Sequence, residues 1–370
     1  MSRRTIRAGL AGGIAAALTL LGVAAHADPN GPTDPGTPLT PPPGGTLYAG
    51  VGADAFAELS NNVVTQYNAT SPANLLESFD AVNPVTGTSN TPADTVTTKS
   101  GCSNLPRPNG ANAGVTALLN DPVHNDGTYC LDWVRSSRAR GTAAGEANLV
   151  FYAQSRDAVA YATIGNAYAP TTPLTTAQLK DIFECTDTDW SQVGGQPGAI
   201  HVYVPPTTAA TYTFFLQAIG SSVGNVTTGC GNTTIPQQQN DGRTLNGDPQ
   251  GIAPYAVTKW AAQQNGAPGI ADNRGGVQVG LVNTTTAPTV DTTFNNVHYQ
   301  VLNPVFATGA SASFGRIFYN VVRNDAPQDL KDVFKAGGYL CQHQNAFLIP
   351  FGNTPLGDDQ NQSRFCGQLG

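Results

Sequence analysis

Short apolar segments alternate along the chain with segments whose apolar residues recur at helical spacing. Residues 149–153 and 200–204 are runs of β-branched, aromatic and aliphatic side chains between turn-forming residues, which is the pattern of strands. Residues 212–219 instead have the composition and length of a helical segment. This alternation predicts an α/β protein.

Two of the predicted helices have recognisable ends. Thr175 is followed three residues later by Gln178, the pattern of a capping box, and Leu179 then begins the apolar face of a helix. A second helix is predicted between Pro327, in its first turn, and the glycine pair that starts at Gly337. Both helices are expected to be structural.

The length and composition indicate a turn-rich globular protein. The 370 residues exceed one ordinary domain, and 40% hydrophobic residues are enough for two cores. Only 12% of the residues are charged, and the chain has 41 Gly and 27 Pro. Such a composition argues against a coiled coil, a helical array or a charged disordered tail.

The N-terminal segment has the features of a secretory signal peptide. Arginines precede a mostly apolar run over residues 8–25, and the small-x-small pattern that follows predicts cleavage after Ala27. A membrane anchor, the alternative, needs a longer and more apolar span. Because no Cys lies near the cleavage site, there is no lipobox, and we expect a protein that is secreted or held outside the cytoplasm at the cell surface.

The net charge of the chain indicates which kinds of partner it is poorly suited to bind. Loss of residues 1–27 removes three Arg and no acid, so the formal charge changes from −7 to −10. An acidic protein without basic runs is a poor candidate for binding nucleic acid or an anionic membrane, and we expect a monomer. Residues 28–45 contain seven Pro and four Gly, the composition of an extended linker.

An even number of cysteines in the exported part predicts disulfides. Six cysteines allow 15 pairings, so connectivity does not follow from sequence alone, although pairing of sequence neighbours is the simplest choice. A metal site is the alternative, but the spacing lacks the close cysteine pairs of zinc sites, and we expect no metal and no cofactor. The candidates are Cys102, Cys130, Cys185, Cys230, Cys341 and Cys366.

Residues 220–224 match the G-x-S-x-G motif of serine hydrolases, with Ser222 in the nucleophile position. The motif works where a strand delivers Ser into a strained turn that begins a helix. Here the preceding segment is a predicted helix, so the glycines are expected to end it. The spacing of the histidines and acids does not indicate which of them could complete a catalytic triad with Ser222. We therefore expect no enzymatic activity and no catalytic residue.

Four turns carry the candidate binding chemistry, each between an apolar run and a helical or hydroxyl-rich segment. They lie at residues 50–56, 107–115, 131–138 and 204–213. Turns at helix starts present backbone N–H groups at the positive end of the helix, where an oxyanion can be held. Ser and Thr hydroxyls add neutral donors, and Arg adds a fork that fits a tetrahedral anion.

The order of these turns resembles that of the substrate-binding proteins of phosphate ABC transporters, especially a secreted actinobacterial branch, over most of residues 46–370. Residues 173–183 followed by Trp190 resemble the second-domain helix of that family and its trailing Trp. Residues 130–138 and 156–159 are also similar to segments of the family.

The resemblance implies an α/β fold of the type II periplasmic binding protein class. This fold has two domains joined by a two-strand hinge, with the ligand in the interdomain cleft. It implies a first domain of residues 46–155 and 312–370 and a second domain of residues 156–311.

The ligand-binding turns depart from the family pattern. Asp54 and its alanine neighbours replace a hydroxyl in the first turn, Asn112 with Ala111 replaces a Ser in the second, and Ser137 replaces the proton-accepting acid of the third. In the fourth turn Pro205 stands where the family has an Arg, and Thr211 is the hydroxyl that remains.

From the turns and the resemblance together we predict a cleft-lining set. The expected ligand is a small molecule, phosphate or another oxyanion, taken up through an ABC transporter permease. The alternative is a secreted surface or interaction protein on the same scaffold whose ligand site is lost or changed. The predicted residues are Asp54, Gly110, Asn112, Arg135, Ser136, Ser137, Thr208 and Thr211.

Overall fold

The computed structural model describes most of the chain. The described residues are 38–370 except 84–88, 90–93, 125–126, 166, 208 and 358–365. The predicted signal peptide, residues 28–37 of the predicted linker and Thr208 therefore lie outside them. In the part of the chain that is described, every helix is too short or too polar to cross a membrane.

A large mixed sheet runs through the molecule. Its strands follow the order β2-β1-β3-β11-β4-β7-β5-β6, β8 and β12 pair with β4, and β9 and β10 form a separate hairpin. The strands are β1 (Leu47–Gly52), β2 (Leu75–Ser78), β3 (Trp133–Ser136), β4 (Leu149–Thr163), β5 (His201–Val204), β6 (Ile235–Pro236), β7 (Gly251–Ala256), β8 (Gln278–Val279), β9 (Thr289–Phe294), β10 (Val297–Leu302), β11 (Gly315–Arg323) and β12 (Thr354–Pro355).

Helices alternate with the strands, as the apolar pattern predicts. They are α1 (Ala57–Ala69), α2 (Ala111–Asn120), α3 (Thr176–Phe183), α4 (Ala210–Ala218), α5 (Val223–Cys230), α6 (Val257–Asn265), α7 (Gln328–Phe334), α8 (Tyr339–Gln342) and α9 (Gln344–Leu348).

Strand β4 connects the two parts of the sheet. Its first ten residues pair antiparallel with β11, and Val159–Thr163 pair antiparallel with β7. On the side of β11, β1 pairs in parallel with β2 and β3; on the side of β7, β5 pairs in parallel with β6 and β7. We call the part built on β1, β2, β3 and β11, with α1, α2 and α7–α9, the β1 lobe. The part built on β5, β6 and β7, with α3–α6, is the β7 lobe.

Each lobe has its own apolar core. One cluster contains residues between Ala158 and Phe314, among them the fully buried Trp190. Another joins Ala49 and Phe151 to β11. A third cluster joins Phe56 and Phe318 of the β1 lobe to Ala262 of α6, so the cores of the two lobes meet at that helix. The α/β architecture matches the predicted fold class.

The predicted capping box of α3 is confirmed, whereas α7 has Pro327 as its N-cap and ends at Phe334, three residues before the predicted glycine stop. Thr175 caps α3, with its Oγ1 accepting a hydrogen bond from the Gln178 N–H and the Gln178 side chain accepting from the Thr175 N–H. Pro327 precedes the first residue of α7, and Gly337 adopts φ +70° just beyond its end.

The disulfides pair sequence neighbours, so the simplest predicted connectivity is confirmed. The bonds are Cys102–Cys130, Cys185–Cys230 and Cys341–Cys366, with sequence separations of 28, 45 and 25 residues. In the chain-entropy description, closing loops of this size stabilises the fold by roughly 3.5 to 4 kcal/mol each.

Candidate functional site

A cleft of about 760 Å³ lies between the two lobes. The start of α2 and the end of β3 line it on the β1 lobe, through Gly110, Asn112 and Ser137. The first two turns of α4 line it on the β7 lobe, through residues that include Thr213 and Phe214. It is therefore the interdomain cleft that the resemblance implies.

A glycine turn places the start of α2 at this cleft. Gly110 precedes α2 with φ 109°, a conformation that favours glycine, and it has no side chain with which to cap the helix. Gly114 allows α2 to lie close to β1, because a Cβ there would come within 3.0 Å of the Gly52 Cα. The first N–H groups of α2 thus begin at a wall of the cleft, where they favour a negative charge.

Arg138 is fixed at the cleft by a network of its own. Its Nε donates to the Asn112 Oδ1 at 2.5 Å, and its Nη1 and Nη2 donate to the Glu146 carboxylate at 2.9 and 2.7 Å. The hydrogen bonds from Arg138 lower the pKa of Glu146, which holds that carboxylate in its charged form. The guanidinium is therefore preorganised beside the start of α2.

Arg107 also lines the cleft, from the turn that leads into α2. It is 4% exposed, and its Nη1 donates to the Asp80 carbonyl at 3.0 Å. The predicted set does not include Arg107 or Arg138. Their position beside Gly110 and Ser137 in sequence is the signal that could have found them.

Arg135 lies away from the cleft lining, fully buried behind β1 and β3. Its Nε donates to the Ala53 carbonyl at 3.2 Å, its Nη1 to the Ser78 Oγ at 2.6 Å and its Nη2 to the Phe79 carbonyl at 2.6 Å. The structure therefore places this guanidinium where it holds the turn before α1. The Ser136 hydroxyl donates to the Arg138 carbonyl at 2.8 Å, within the same turn.

Asp54 takes part in a contact between the lobes. Its Oδ2 accepts a hydrogen bond from the Gln239 Nε2 at 2.8 Å, and Gln239 follows the cleft-lining Gln238. Burial raises the pKa of Asp54, and the nearby Lys259 opposes that shift. Lys259, 8% exposed in α6, forms an ion pair with Glu58 in α1. The start of α1 is thus occupied by charges of the protein itself.

Thr211 lies on the inner face of α4 rather than along the cleft. It is fully buried, and its Oγ1 accepts from the Arg316 Nη2 at 3.4 Å. Arg316 on β11 is ion-paired at 2.7 Å with the fully buried Asp157 on β4. Asp157 in turn accepts from the Thr258 N–H and hydroxyl at the start of α6. This network ties the connecting strands to two helices of the β7 lobe.

Of the predicted residues, the structure brings Gly110, Asn112 and Ser137 together along the cleft. It places Asp54, Arg135, Ser136 and Thr211 within hydrogen-bond networks that surround it.

Ser222 has a structural role that its local geometry explains. It lies between α4 and α5 rather than after a strand, and its Oγ accepts from the Asn225 N–H as the N-cap of α5. Gly220 follows α4 with φ 70°, so the prediction that the glycine ends the preceding helix is confirmed.

Among the described residues, one group combines metal-binding residue types: Cys102, His124 and Cys130, whose ligand atoms lie within 4.8 Å of one another. The two sulfurs are joined in a disulfide and are not thiolates, which leaves the imidazole as the one ordinary ligand.

The sequence matches no family model and no curated protein. Among solved structures, the fold is similar to an ABC-type phosphate transport receptor from Vibrio cholerae, with a TM-score of 0.53 and 16% identity over 83% of this chain and 98% of that one. It is also similar to a protein from Clostridium perfringens described as a phosphate ABC transporter substrate-binding protein with bound phosphate. That match has a TM-score of 0.51 and 16% identity over 82% of this chain and 98% of that one. At these identities the likeness shows the fold, and it confirms the predicted two-lobe α/β fold.

Proposed function

We propose that this chain is an exported solute-binding protein that captures a small anion, phosphate or another oxyanion, between its two lobes. One observation carries the proposal: the described residues that line the cleft include two arginines, Arg107 and Arg138, and no carboxylate. The whole chain has a formal charge of −7, so this lining differs in sign from the rest of the molecule. Because Glu146 balances the charge of Arg138, the attraction for an anion comes from Arg107 and from the backbone N–H groups at the start of α2.

The donor groups at the cleft suit an oxyanion. The Arg138 fork binds Glu146, which leaves one Nη2–H for a ligand, while the start of α2 contributes backbone N–H groups and Ser137 adds a hydroxyl. Because these groups are fixed before a ligand enters, little conformational entropy is lost when they bind it.

Ligand capture in such a fold requires the lobes to move as units, so we propose the domain limits given above, residues 46–155 with 312–370 and residues 156–311. The separate cores support this division: one cluster falls between Ala158 and Phe314, and another between Ala49 and Ala153 with Tyr319–Leu356. The motion would bend β4 and β11, the strands between the lobes, in a hinge.

Export and delivery to an ABC permease complete the proposal. The two structural neighbours are a phosphate transport receptor and a phosphate transporter substrate-binding protein, which supports a role in phosphate uptake. Three disulfides suit an oxidising compartment, in agreement with the predicted signal peptide at residues 1–27. We propose a monomeric binder rather than an enzyme, and the placement of Ser222 at a helix cap supports that choice.

A second candidate is a secreted surface or interaction protein that kept the scaffold and changed its ligand site. The observation in its favour is that Asp54 and Arg135 bind groups of the protein itself.

Isothermal titration calorimetry of the mature protein tests the proposal, with phosphate, sulfate and uncharged sugars as titrants. We expect an anion to bind, and Arg138→Gln to weaken that binding at least about tenfold, because the variant removes a positive charge and leaves the Glu146 carboxylate unbalanced beside the cleft. Ser137→Ala, which leaves the Glu146 pair intact, is expected to weaken it less. Arg243→Gln is the matched control, since Arg243 is an exposed arginine paired with Asp241 in the β7 lobe.

Failure of every anion to bind would contradict the proposal and favour the interaction protein. Thermal unfolding of each variant without ligand separates a loss of affinity from a loss of folding.

A further inference from the structure

The two walls of the cleft differ in chemistry. Both of its arginines, Arg107 and Arg138, and the start of α2 belong to the wall of the β1 lobe. The described lining of the β7 lobe is uncharged and consists of residues from 206 to 217 together with Gln238. A ligand that contacts both walls therefore needs a charged end and a neutral, polar body.

The size of the cleft also indicates a ligand larger than inorganic phosphate. Inorganic phosphate has five heavy atoms and fills roughly 150 Å³ if each takes the volume of a water molecule. The cleft is about 760 Å³, within the range of sites that take organic molecules. A bare phosphate held by the arginines would leave most of this space to water and would contact one lobe only.

Contacts between the lobes are already made beside this space. Gln239, next to the cleft-lining Gln238, donates to Asp54 across the lobes, and Lys259 pairs with Glu58. Part of the two lobes is therefore in contact beside the cleft. Because Lys259 is paired with Glu58, its charge is already balanced within the protein.

The wall of the β7 lobe suits a hydroxyl-bearing body. Phe214 offers a half-buried ring at the cleft, and the Gln217 and Gln238 amides can donate and accept hydrogen bonds. The Arg316 guanidinium lies 5.3 Å from the Phe214 ring centroid and is ion-paired with Asp157. A sugar-like body can stack on the ring while the amides bind its hydroxyls.

From this asymmetry we infer that the cleft takes a phosphate monoester of a hydroxyl-rich molecule. Its phosphate would lie against Arg107, Arg138 and the start of α2, and its body against Phe214 and Gln217. The inference rests on the proposed function, since it assigns the ligand class of the same cleft.

Calorimetry with glucose 6-phosphate, inorganic phosphate, glucose and gluconate tests the inference on the mature protein. Glucose 6-phosphate is expected to bind at least about tenfold more tightly than inorganic phosphate or gluconate, and glucose not to bind measurably. Phe214→Ala is expected to reduce the affinity for glucose 6-phosphate about tenfold and to leave that for inorganic phosphate unchanged. Phe294→Ala, at a half-buried ring of β9 outside the cleft lining, is the matched control.

Gln217→Ala provides a second variant on the exposed surface of α4, where loss of folding is not expected. It too should weaken glucose 6-phosphate and spare inorganic phosphate. Inorganic phosphate binding as tightly as the ester, with both variants unaffected, would overturn the inference and leave the proposed function standing. Gluconate binding as tightly as glucose 6-phosphate would overturn the assignment of a phosphate. Failure of every anion would remove the proposed function as well.

Discussion

The starts of α1 and α2 are alike in sequence and different in the structure. Each follows an apolar run with a turn of small and polar residues, and each was predicted to hold an anion. At α2, Gly110 leaves the first N–H groups uncapped beside the cleft, and Arg138 is held next to them by Glu146. At α1, Asp54 accepts a hydrogen bond from Gln239.

Neither helix start has a side-chain cap, so the two regions differ in their surroundings and not in their capping. At the α1 region, the three donor nitrogens of Arg135 bind the Ala53 carbonyl, the Ser78 hydroxyl and the Phe79 carbonyl. That region also holds the Asp54 carboxyl and the Lys259–Glu58 ion pair, whereas the start of α2 lines the cleft.

The largest loss of stability is expected from a change at Arg135, whose guanidinium binds three groups of the α1 region. Arg135→Ala would leave the buried acceptors of Ala53, Ser78 and Phe79 without a donor and open a cavity. We expect the free energy of unfolding to fall by about 4 kcal/mol, and ligand affinity to fall because the turn before α1 shifts. Urea denaturation measures the first effect and calorimetry the second.

Arg243→Ala is the control for that experiment, because its guanidinium is exposed and paired only locally with Asp241. It should change the free energy of unfolding by less than about 0.5 kcal/mol. If Arg135→Ala were as stable as this control and bound ligand normally, the structural role of Arg135 would be wrong. Stability with loss of binding would return Arg135 to the site.

Lys259 offers the next largest effect and tests whether the α1 region is internally neutralised. Lys259→Met would remove the charge that faces Glu58 and Asp54. We expect a loss of about 2 to 3 kcal/mol near neutral pH, smaller than for Arg135 because the Glu58 side chain is 24% exposed and can reach water. Chemical denaturation at neutral pH measures it.

Lys335→Met is a suitable control, since Lys335 makes an exposed pair with Asp332 in the β1 lobe. That change should cost less than about 1 kcal/mol. Equal losses for the two lysine variants would show that the Lys259 pair is no stronger than a surface one.

Sequence patterns predicted the features that depend on neighbouring residues. The capping box of Thr175 and Gln178 needs residues three apart, and the helix end at Gly220 needs one residue that tolerates positive φ. The disulfides also join nearest cysteines, because short loops are the easiest to close.

The roles of the site residues depended on contacts between distant parts of the chain. Asp54 is joined to Gln239 across 185 residues, and Arg135 to Ser78 across 57. The same holds for Thr211, since its position at a helix start is visible in sequence but the strand that binds its hydroxyl is 105 residues away. Neither composition nor spacing indicates which of these distant contacts will form. The sequence therefore indicates four candidate turns and does not distinguish among them.

The smallest expected effect, and the one that examines the comparison most directly, is the pH dependence of Asp54→Asn. Burial raises the pKa of Asp54 above its ordinary value, so the native state favours the protonated carboxyl. Because the pKa of Asp54 is higher in the folded state, the protonated carboxyl stabilises the native state fully below the pKa of the unfolded state, near 3.8. This stability is lost as the pH rises through the pKa of the folded state. The amide variant stays neutral and avoids that loss, while its side-chain oxygen can still accept from Gln239.

Asp54→Asn should therefore be more stable than the parent protein by about 1 kcal/mol at neutral pH, with the difference vanishing towards pH 3. Parallel urea titrations across that range measure it, and Asp332→Asn, in the exposed pair with Lys335, is the control without a buried partner. A variant less stable than the parent at neutral pH would mean that attraction to Lys259 outweighs the cost of burying the charge. The α1 region would then be a true ion-pair network, and its contrast with the open start of α2 would rest on charge pairing instead of on a carboxyl that the fold buries at a cost.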